Sequence, residues 1–237
     1  MRSCQACVAP SRRRARKNAS QMFSPRRTLL AVSSLNRATS RPLCVLGVDP
    51  AVAGATGYGV VESDGRRCRM LRFGALRPAA ASRGPLATHL RDIHTLVGGL
   101  IAEFRPHGVA VESVFTALNM KTALRLAEVR GVVLLAAAEA GIPSFSYSPR
   151  EVKATVAGFG QAGKEQVQQM VRAMLDLSET PEPADAADAL AVALCHIQIA
   201  ESEARLAAGL NRASQRSASG GRHPRSHNQA ASPRILS

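Results

Sequence analysis

The sequence predicts an α/β fold in which strands and helices alternate around one sheet. Three observations lead to this prediction. A short apolar run from Leu43 to Val48 is bounded by Pro50, which is typical of a strand buried on both faces. Apolar residues recur at helical spacing from Pro85 to Phe104. Another apolar strand is predicted at Gly108 to Val111, so that a helix separates two strands.

Length and charge place this fold in the middle of the chain. A chain of 237 residues with 46% hydrophobic composition can fill one core of ordinary size and leave tails. The net charge of +14 divides unevenly, with +10 in residues 1–42, zero in residues 43–200 and +4 in residues 201–237. Any DNA contact by the core therefore has to come from local clusters of basic residues.

These differences predict three segments. Residues 1–42 are rich in Arg and Ser and lack acids, which is typical of a disordered leader, a start codon assigned too far upstream or an organellar transit peptide. Residues 43–200 form the predicted domain, and residues 201–237 are predicted to be a disordered basic tail. No secretory or membrane-spanning pattern is present, and the five cysteines lack framework spacing, so we expect a cytoplasmic protein with reduced thiols.

The first strand should continue into an antiparallel meander. Small residues from Ala51 to Gly59 permit a tight turn and a close approach of the backbone to a ligand. Val60 and Val61 then begin the return strand. Asp64-Gly65 is a hairpin signal, and Cys68 to Ala75 is the predicted third strand.

The second half of the domain is predicted to be mainly helical. Pro149 opens a helix that carries Lys153, and Gly158 to Gly163 is predicted to be a flexible joint. The other predicted elements are a helix at Leu118 to Ala140, a strand at Ser144 to Ser148, a helix at Lys164 to Leu177 and a helix at Ala184 to Ala200.

Four acids stand at notable positions in this pattern. Asp49 and Glu112 come at the ends of predicted strands, where ligand chemistry collects in open α/β sheets. Asp185 and Asp188 share one face of the last predicted helix. Two acids at strand ends and two on one helical face suit Mg²⁺ or Mn²⁺, which prefer oxygen ligands.

Each acid also has a structural explanation. Asp49 could accept hydrogen bonds in its turn, Glu112 could pair with a core Arg, and Asp185 could complement the helix dipole. Asp188 is harder to explain in this way, because it has no capping role on a helix rich in Ala, Leu and Val.

Seven motifs in order across residues 43–200 resemble the RuvC family of Holliday-junction resolvases. They are L-G-V-D-P, T-G-Y-G-V, V-E-S-V-F, V-R-G-V, V-K-A-T-V, G-K-E-Q-V-Q-Q-M-V and A-D-A-A-D-A-L-A-V-A. The resemblance implies an RNase H-like mixed five-stranded sheet flanked by helices. It also implies a homodimer that resolves four-way DNA junctions by paired symmetric nicks in recombination and repair, with RuvA and RuvB as partners.

The resemblance also implies roles for particular residues. Asp49, Glu112, Asp185 and Asp188 would be the catalytic metal ligands, with two Mg²⁺ ions per site and Mn²⁺ as a substitute. In two-metal hydrolysis the ions lie roughly 4 Å apart, activating a water and stabilising the leaving oxygen. The other implied site residues bind DNA: Phe115 would contact bases, and Lys153 and Lys164 would contact phosphates.

Other interpretations remain open at this point. An Asp-bearing first strand followed by a Gly-rich hairpin also fits actin-like kinases and ATPases, although the core is short for their second domain. Another RNase H-like nuclease and a non-cleaving junction-binding protein are further alternatives. Phe115 could be a core residue, and Lys153 and Lys164 could be ordinary surface lysines.

Overall fold

The computed structural model describes residues 42–51, 55–77, 86–113 and 120–219. Residues 1–41 of the predicted leader and residues 220–237 of the predicted tail lie outside these ranges. Within them the chain forms strands β1 (Leu43–Asp49), β2 (Thr56–Ser63), β3 (Cys68–Leu76), β4 (Gly108–Glu112) and β5 (Ser144–Tyr147). The helices are α1 (Leu86–Phe104), α2 (Met120–Glu139), α3 (Pro149–Ala157), α4 (Lys164–Met174) and α5 (Ala184–Ser219).

The five strands form one mixed sheet in the order β3-β2-β1-β4-β5. The first three strands are antiparallel to one another, as their hairpin signal predicted. β4 runs parallel to β1, and β5 runs parallel to β4. The parallel half brings the carboxyl ends of β1, β4 and β5 to one edge of the sheet.

Each face of the sheet is covered by its own hydrophobic core. Cys44, Leu46 and Val48 pack with α1 and α2 on one face. Leu43 and Val45 pack with α3, α4 and α5 on the other. This alternation follows the two-residue period of a strand and explains why the apolar run in β1 is continuous, since both of its faces are buried.

The last helix is longer than the sequence predicted. We expected it to end at Ala200, but α5 continues to Ser219, so the predicted domain boundary at residue 200 falls inside a helix. The segment from Glu201 to Asn211 is rich in Ala, Leu, Glu and Arg, which are good helix formers. Helical propensity therefore continues beyond the point at which the helix leaves the core.

The helix predicted to run from Lys164 to Leu177 is shorter, because α4 ends at Met174. The chain leaves helical geometry at Asp176, whose φ is 52°. None of the helices in the described ranges combines the length and apolar character needed to span a bilayer.

Candidate active site

Asp49 and Glu112 lie at the same edge of the sheet and on the same face. Val48 is paired with Val111 across the parallel strands, and each strand ends with the acid one residue later. Both valines belong to the core beneath α1 and α2. Because successive side chains of a strand point to opposite faces, both carboxylates are directed towards the side occupied by α5.

The backbone of α5 rests directly on the sheet and brings two further acids to this place. Gly57 is paired with Asp49 in the β1–β2 ladder. A Cβ atom built on Gly57 would lie 1.9 Å from the carbonyl oxygen of Asp185, and one on Gly47 would lie 2.2 Å from that of Ala189. Only residues without a side chain allow this approach. The first turn of α5 is thereby held beside Asp49.

A pocket of about 250 Å³ opens between these elements. Three of the predicted acids line it, namely Asp49, Glu112 and Asp188, together with Lys153 and Lys164. Its remaining lining residues are Pro149, Val152, Val167 and Ala191. The structure thus brings together three of the four acids and both predicted phosphate-binding lysines in one pocket.

The fourth acid, Asp185, lies near the pocket but does not line it. Asp185 is not among the residues that line the pocket, but its charge contributes to the raised pKa of Asp49. It lies in the first turn of α5, three residues before Asp188. Its distance from the pocket is therefore short enough for electrostatic influence.

The starts of two helices place the lysines. Lys153 lies on α3, whose first turn is closed by a capping box: the Ser148 hydroxyl accepts from the Glu151 backbone N–H at 3.2 Å, and the Glu151 carboxylate accepts from the Ser148 N–H at 2.7 Å. Lys164 is the first residue of α4. Lys164 therefore stands at the start of its helix, and Lys153 lies one turn into α3.

The carboxyl groups in the pocket repel one another in a partly buried setting. Burial is the largest cause of the raised pKa of Asp49, followed by the charges of Glu112, Asp188 and Asp185. Burial and Asp188 also raise the pKa of Glu112, while a hydrogen bond with Asp49 acts in the opposite direction. Burial and mutual repulsion both disfavour the charged form of these carboxyl groups. A bound cation would stabilise the charged form.

Lys164 supplies part of the compensating charge. Its Nζ donates a hydrogen bond to Oδ2 of Asp188 at 2.7 Å, and this contact raises the pKa of the ammonium group. The Lys164 side chain is 56% exposed, whereas that of Asp188 is 25% exposed. The ammonium group therefore bridges the buried acids and the solvent.

Two parts of the predicted site are not established by this geometry. Phe115 lies outside the described residues. Among the described residues, no group of three or more His, Cys, Asp and Glu side chains is arranged to hold a metal ion as it stands. The donor set nevertheless consists of carboxylate oxygens, which are the ligands that Mg²⁺ and Mn²⁺ prefer.

The sequence interpretation also missed the reason for the glycines. It assigned the small residues from Ala51 to Gly59 to a tight turn and a close approach to a ligand, whereas Gly57 and Gly59 lie within β2 and face α5. The available signal was the two-residue spacing of these glycines within a strand, together with an Ala-rich helix to pack on them.

Comparisons with known proteins identify the family of this chain. The sequence model of the RuvC family, described as crossover junction endodeoxyribonuclease RuvC, matches residues 45–196. A protein of that name from Heliobacterium modesticaldum is 49% identical over 154 residues, which is 65% of this chain and 93% of the relative. Its counterpart from Salinispora arenicola is 46% identical over 170 residues, or 71% of this chain and 95% of the relative.

Solved structures show the same relationship. The structure of Thermus thermophilus RuvC in complex with Holliday junction substrate has 37% sequence identity and a TM-score of 0.64, covering 68% of this chain and 97% of that one. T. thermophilus RuvC in a second structure has 38% identity and a TM-score of 0.62, covering 68% of this chain and 98% of that one. The predicted RNase H-like fold is confirmed, and the chain belongs to the RuvC family of crossover junction endodeoxyribonucleases.

Proposed function

We propose that this protein is a Mg²⁺-dependent endonuclease that resolves four-way DNA junctions by paired nicks, with Asp49, Glu112, Asp185 and Asp188 as its metal ligands. The observation that carries the proposal is the pocket in which three of these acids meet Lys153 and Lys164. An acidic pocket with a basic rim suits a site that holds divalent cations beside a phosphodiester. Family membership supports the nuclease reaction over the actin-like kinase alternative.

The chain's own residues have distinct tasks in this proposal. The carboxylates provide a charged oxygen-lined site, and their mutual repulsion favours cation binding over an empty pocket. When bound, Mg²⁺ supplies an activated water and stabilises charge on the leaving oxygen. Lys153 and Lys164 hold the phosphate of the strand to be cut, and Phe115 contacts bases near the crossover.

The ammonium group of Lys164 can contact a phosphate while it stays close to Asp188. Its ammonium group is hydrogen-bonded to Asp188 and largely exposed, so an incoming phosphate can share its N–H donors without a large movement. This arrangement couples the position of the scissile phosphate to the position of a metal ligand. Good alignment of these groups is what makes a phosphodiester reactive in a nuclease site.

We further propose that the protein works as a homodimer that pairs through α2. Exposed small and apolar side chains form a stripe along this helix at spacings of three and four residues: Met120, Leu124, Ala127, Gly131, Leu135 and Ala138. Met120 is 75% exposed and Leu124 is 59% exposed, which is costly for a helix that remains alone in water. A two-fold dimer would present two equivalent pockets to two strands of a junction.

The remaining predictions concern the extent of the domain, the partners, the location and the metal stoichiometry. The match of the family model to residues 45–196 supports a functional domain within residues 43–200. The partnership with RuvA and RuvB, a bacterial cytoplasmic location and the number of metal ions per site stay predictions.

The decisive experiment replaces single acids and separates binding from cutting. Asp49→Asn and Asp188→Asn each remove a carboxylate charge with little change in size, so we expect junction cleavage to fall by at least about a thousandfold while junction binding stays within roughly threefold. Cleavage is measured under single turnover with Mg²⁺, and binding is measured in Ca²⁺.

Asp92→Asn is the matched control, because Asp92 lies on α1 and pairs with Arg91. The control variant should cut at the normal rate. Cleavage by Asp188→Asn at a tenth of the normal rate would overturn the assignment of this acid. A wild-type protein that binds junctions without cutting them would favour the non-cleaving alternative.

A further inference from the structure

The loop that joins α3 to α4 carries an exposed aromatic side chain. Phe159 is 49% exposed, and among the exposed large apolar residues that the structure describes it is the only aromatic one. It lies between Gly158, whose φ is 87°, and Gly160. The sequence predicted a flexible joint here, but the contacts of this loop show that it is anchored.

Two contacts fix the Gly158–Gly163 loop. Ala162 is 1% exposed and belongs to the core formed by α3, α4 and α5. Its backbone N–H donates to the carbonyl oxygen of Phe159 at 3.2 Å. The residues on the carboxyl side of Phe159 are therefore held against the core, and its ring is exposed on an ordered support.

The loop also folds back towards the acidic pocket. A Cβ atom built on Gly160 would lie 2.6 Å from Cγ of Arg150 and 3.3 Å from the Arg150 carbonyl oxygen, so Gly160 packs on the first turn of α3. The neighbours of Arg150 on that helix, Pro149 and Lys153, line the pocket. Four residues after Gly160, the chain reaches Lys164, which lines the pocket from the other side.

Phe159 is thus attached to the segment that connects the two proposed phosphate-binding lysines. Nucleic-acid-binding surfaces combine cationic groups that follow the backbone with aromatic rings on which bases stack. An exposed ring on an anchored backbone suits the second task, because the loop that carries it is already ordered before DNA binds. The flanking helix segments carry three basic residues, Arg150, Lys153 and Lys164, against two acids, Glu151 and Glu165. The basic residues provide groups that can contact the backbone of a nucleic acid strand.

We propose that Phe159 stacks on an unpaired or distorted base of the junction next to the strand that is cut. This role rests on the proposed function, since it requires a DNA junction in the adjacent pocket. It adds to the pocket a contact that recognises an exposed base face rather than a phosphate. Such a contact selects for branched DNA, because bases in an intact duplex are already stacked on their neighbours.

The test compares variants that separate stacking from apolar area. Phe159→Leu keeps an apolar side chain but removes the aromatic face, while Phe159→Tyr keeps the ring. We expect Phe159→Leu to weaken junction binding by roughly tenfold and Phe159→Tyr to stay within about twofold. Duplex binding should be unchanged in both variants, and the slope of log affinity against log salt should be unchanged because no charge is removed.

A second measurement locates the contact. Junctions carrying 2-aminopurine at successive positions around the crossover should show one position whose fluorescence changes on binding of the wild-type protein and of Phe159→Tyr. The same position should give no such change with Phe159→Leu. Leu206→Ala is the control, because Leu206 is a 70% exposed apolar residue on the projecting part of α5.

The outcomes distinguish this proposal from the proposed function. If the wild-type protein cuts junctions and Phe159→Leu binds and cuts them equally well, the stacking role is wrong and the nuclease assignment stands. Equal losses for junction and duplex would also overturn it, because they would indicate a general surface defect. A wild-type protein that does not cut junctions would instead overturn the proposed function.

Discussion

Lys164 is the residue at which the acidic pocket meets the proposed DNA-binding surface. Its ammonium group neutralises Asp188 and is open to solvent on the other side. Lys153, which lines the same pocket, partly offsets the raised pKa of Glu112. Lys164 also acts on Glu112, but within this pair only Lys164 has a hydrogen bond to Asp188 among the described contacts.

We expect Lys164→Ala to weaken junction binding and to lower the slope of log affinity against log salt by about one unit, because one phosphate contact is lost. Single-turnover cleavage at saturating DNA should also fall, since both the phosphate and Asp188 lose a positioning partner.

Lys153→Ala should reduce the salt slope by a similar amount. Arg91→Ala, which removes an exposed cation on α1, is the control for a general change of charge. If both lysine variants show an unchanged salt slope and an unchanged cleavage rate, Lys153 and Lys164 are ordinary surface lysines.

His196 makes a different kind of contribution, within the core behind the site. Its Nδ1 is 2.7 Å from the hydroxyl oxygen of Tyr147, and its ring stacks on Phe145 with centroids 4.2 Å apart. Burial lowers the pKa of His196 from 6.5 to about 4. The imidazole is therefore neutral in the folded protein at pH values where the unfolded chain already binds a proton.

This difference predicts that His196 makes an unfavourable contribution to stability in acid. As the pH falls from 6.5 towards 4, the unfolded state takes up a proton that folded His196 does not, so the contribution of His196 to the free energy of unfolding decreases by roughly 2 to 3 kcal/mol. A Tyr147→Phe and His196→Leu double variant should lack this contribution, so its free energy of unfolding relative to the wild type should rise between pH 6.5 and pH 4 in urea titrations. His94→Gln is the control, because His94 lies on the surface and pairs with Glu139. Parallel pH profiles for the wild type and the double variant would contradict the prediction.

The packing of α5 on β1 and β2 is the contact between elements that assembles the site. The two strands contribute Gly47, Gly57 and Gly59 at the positions where the helix backbone is closest. α5 contributes small residues in its first turns, including Ala186, Ala187 and Ala189, all of which are fully or almost fully buried. The helix is held close enough for its acids to act on Asp49 because Gly47 and Gly57 carry no side chain where the α5 backbone lies against the sheet. Gly59 leaves room for the buried side chain of Leu190.

Gly57→Ala tests this packing. The added Cβ would overlap the carbonyl oxygen of Asp185, so the start of α5 has to move away from the sheet. We expect a loss of about 1–3 kcal/mol in the free energy of unfolding and a fall in cleavage rate of at least roughly tenfold, because the acids are displaced. Urea unfolding and single-turnover cleavage measure the two effects.

Gly99→Ala is the matched control for this substitution. A Cβ atom built on Gly99 of α1 would meet nothing within 4 Å. Alanine at that helical position should leave cleavage unchanged and increase stability slightly, since Gly is the poorer helix former. Normal cleavage by Gly57→Ala would show that the position of α5 tolerates displacement.

The complete protein is proposed to carry two such sites, one in each subunit of a dimer. Leu124 lies in the exposed apolar stripe of α2 and is remote in sequence from the pocket residues. Its replacement tests whether paired cutting depends on assembly.

We expect Leu124→Asp to give a monomer at micromolar concentration, because a charge would be buried without a partner in a two-fold interface. Light scattering after size-exclusion chromatography measures the assembly state. On a supercoiled plasmid with an extruded cruciform, the wild type should yield linear DNA from two nicks in one binding event. The variant should yield nicked circles. Leu206→Asp controls for a charge placed at another exposed leucine, and a dimeric Leu124→Asp variant that still yields linear DNA would contradict this interface.

Much of this architecture follows from local patterns in the sequence. The continuous apolar run before Asp49 predicted a strand buried on both faces, and Glu112 was correctly placed at the end of a second strand. The spacing of Asp185 and Asp188 predicted acids on one helical face. These features depend on periodicities of two and 3.6 residues, which are properties of consecutive residues.

Contacts between distant segments decided the rest. Neither the strand order β3-β2-β1-β4-β5 nor the approach of α5 to Gly57 is visible in any single stretch of chain. The hydrogen bond from Lys164 to Asp188 and the return of Gly160 onto Arg150 likewise join separate segments. Such contacts depend on which surfaces pack together and how closely. A glycine in a strand can be recognised as a helix-packing position only when the helix that packs on it is known.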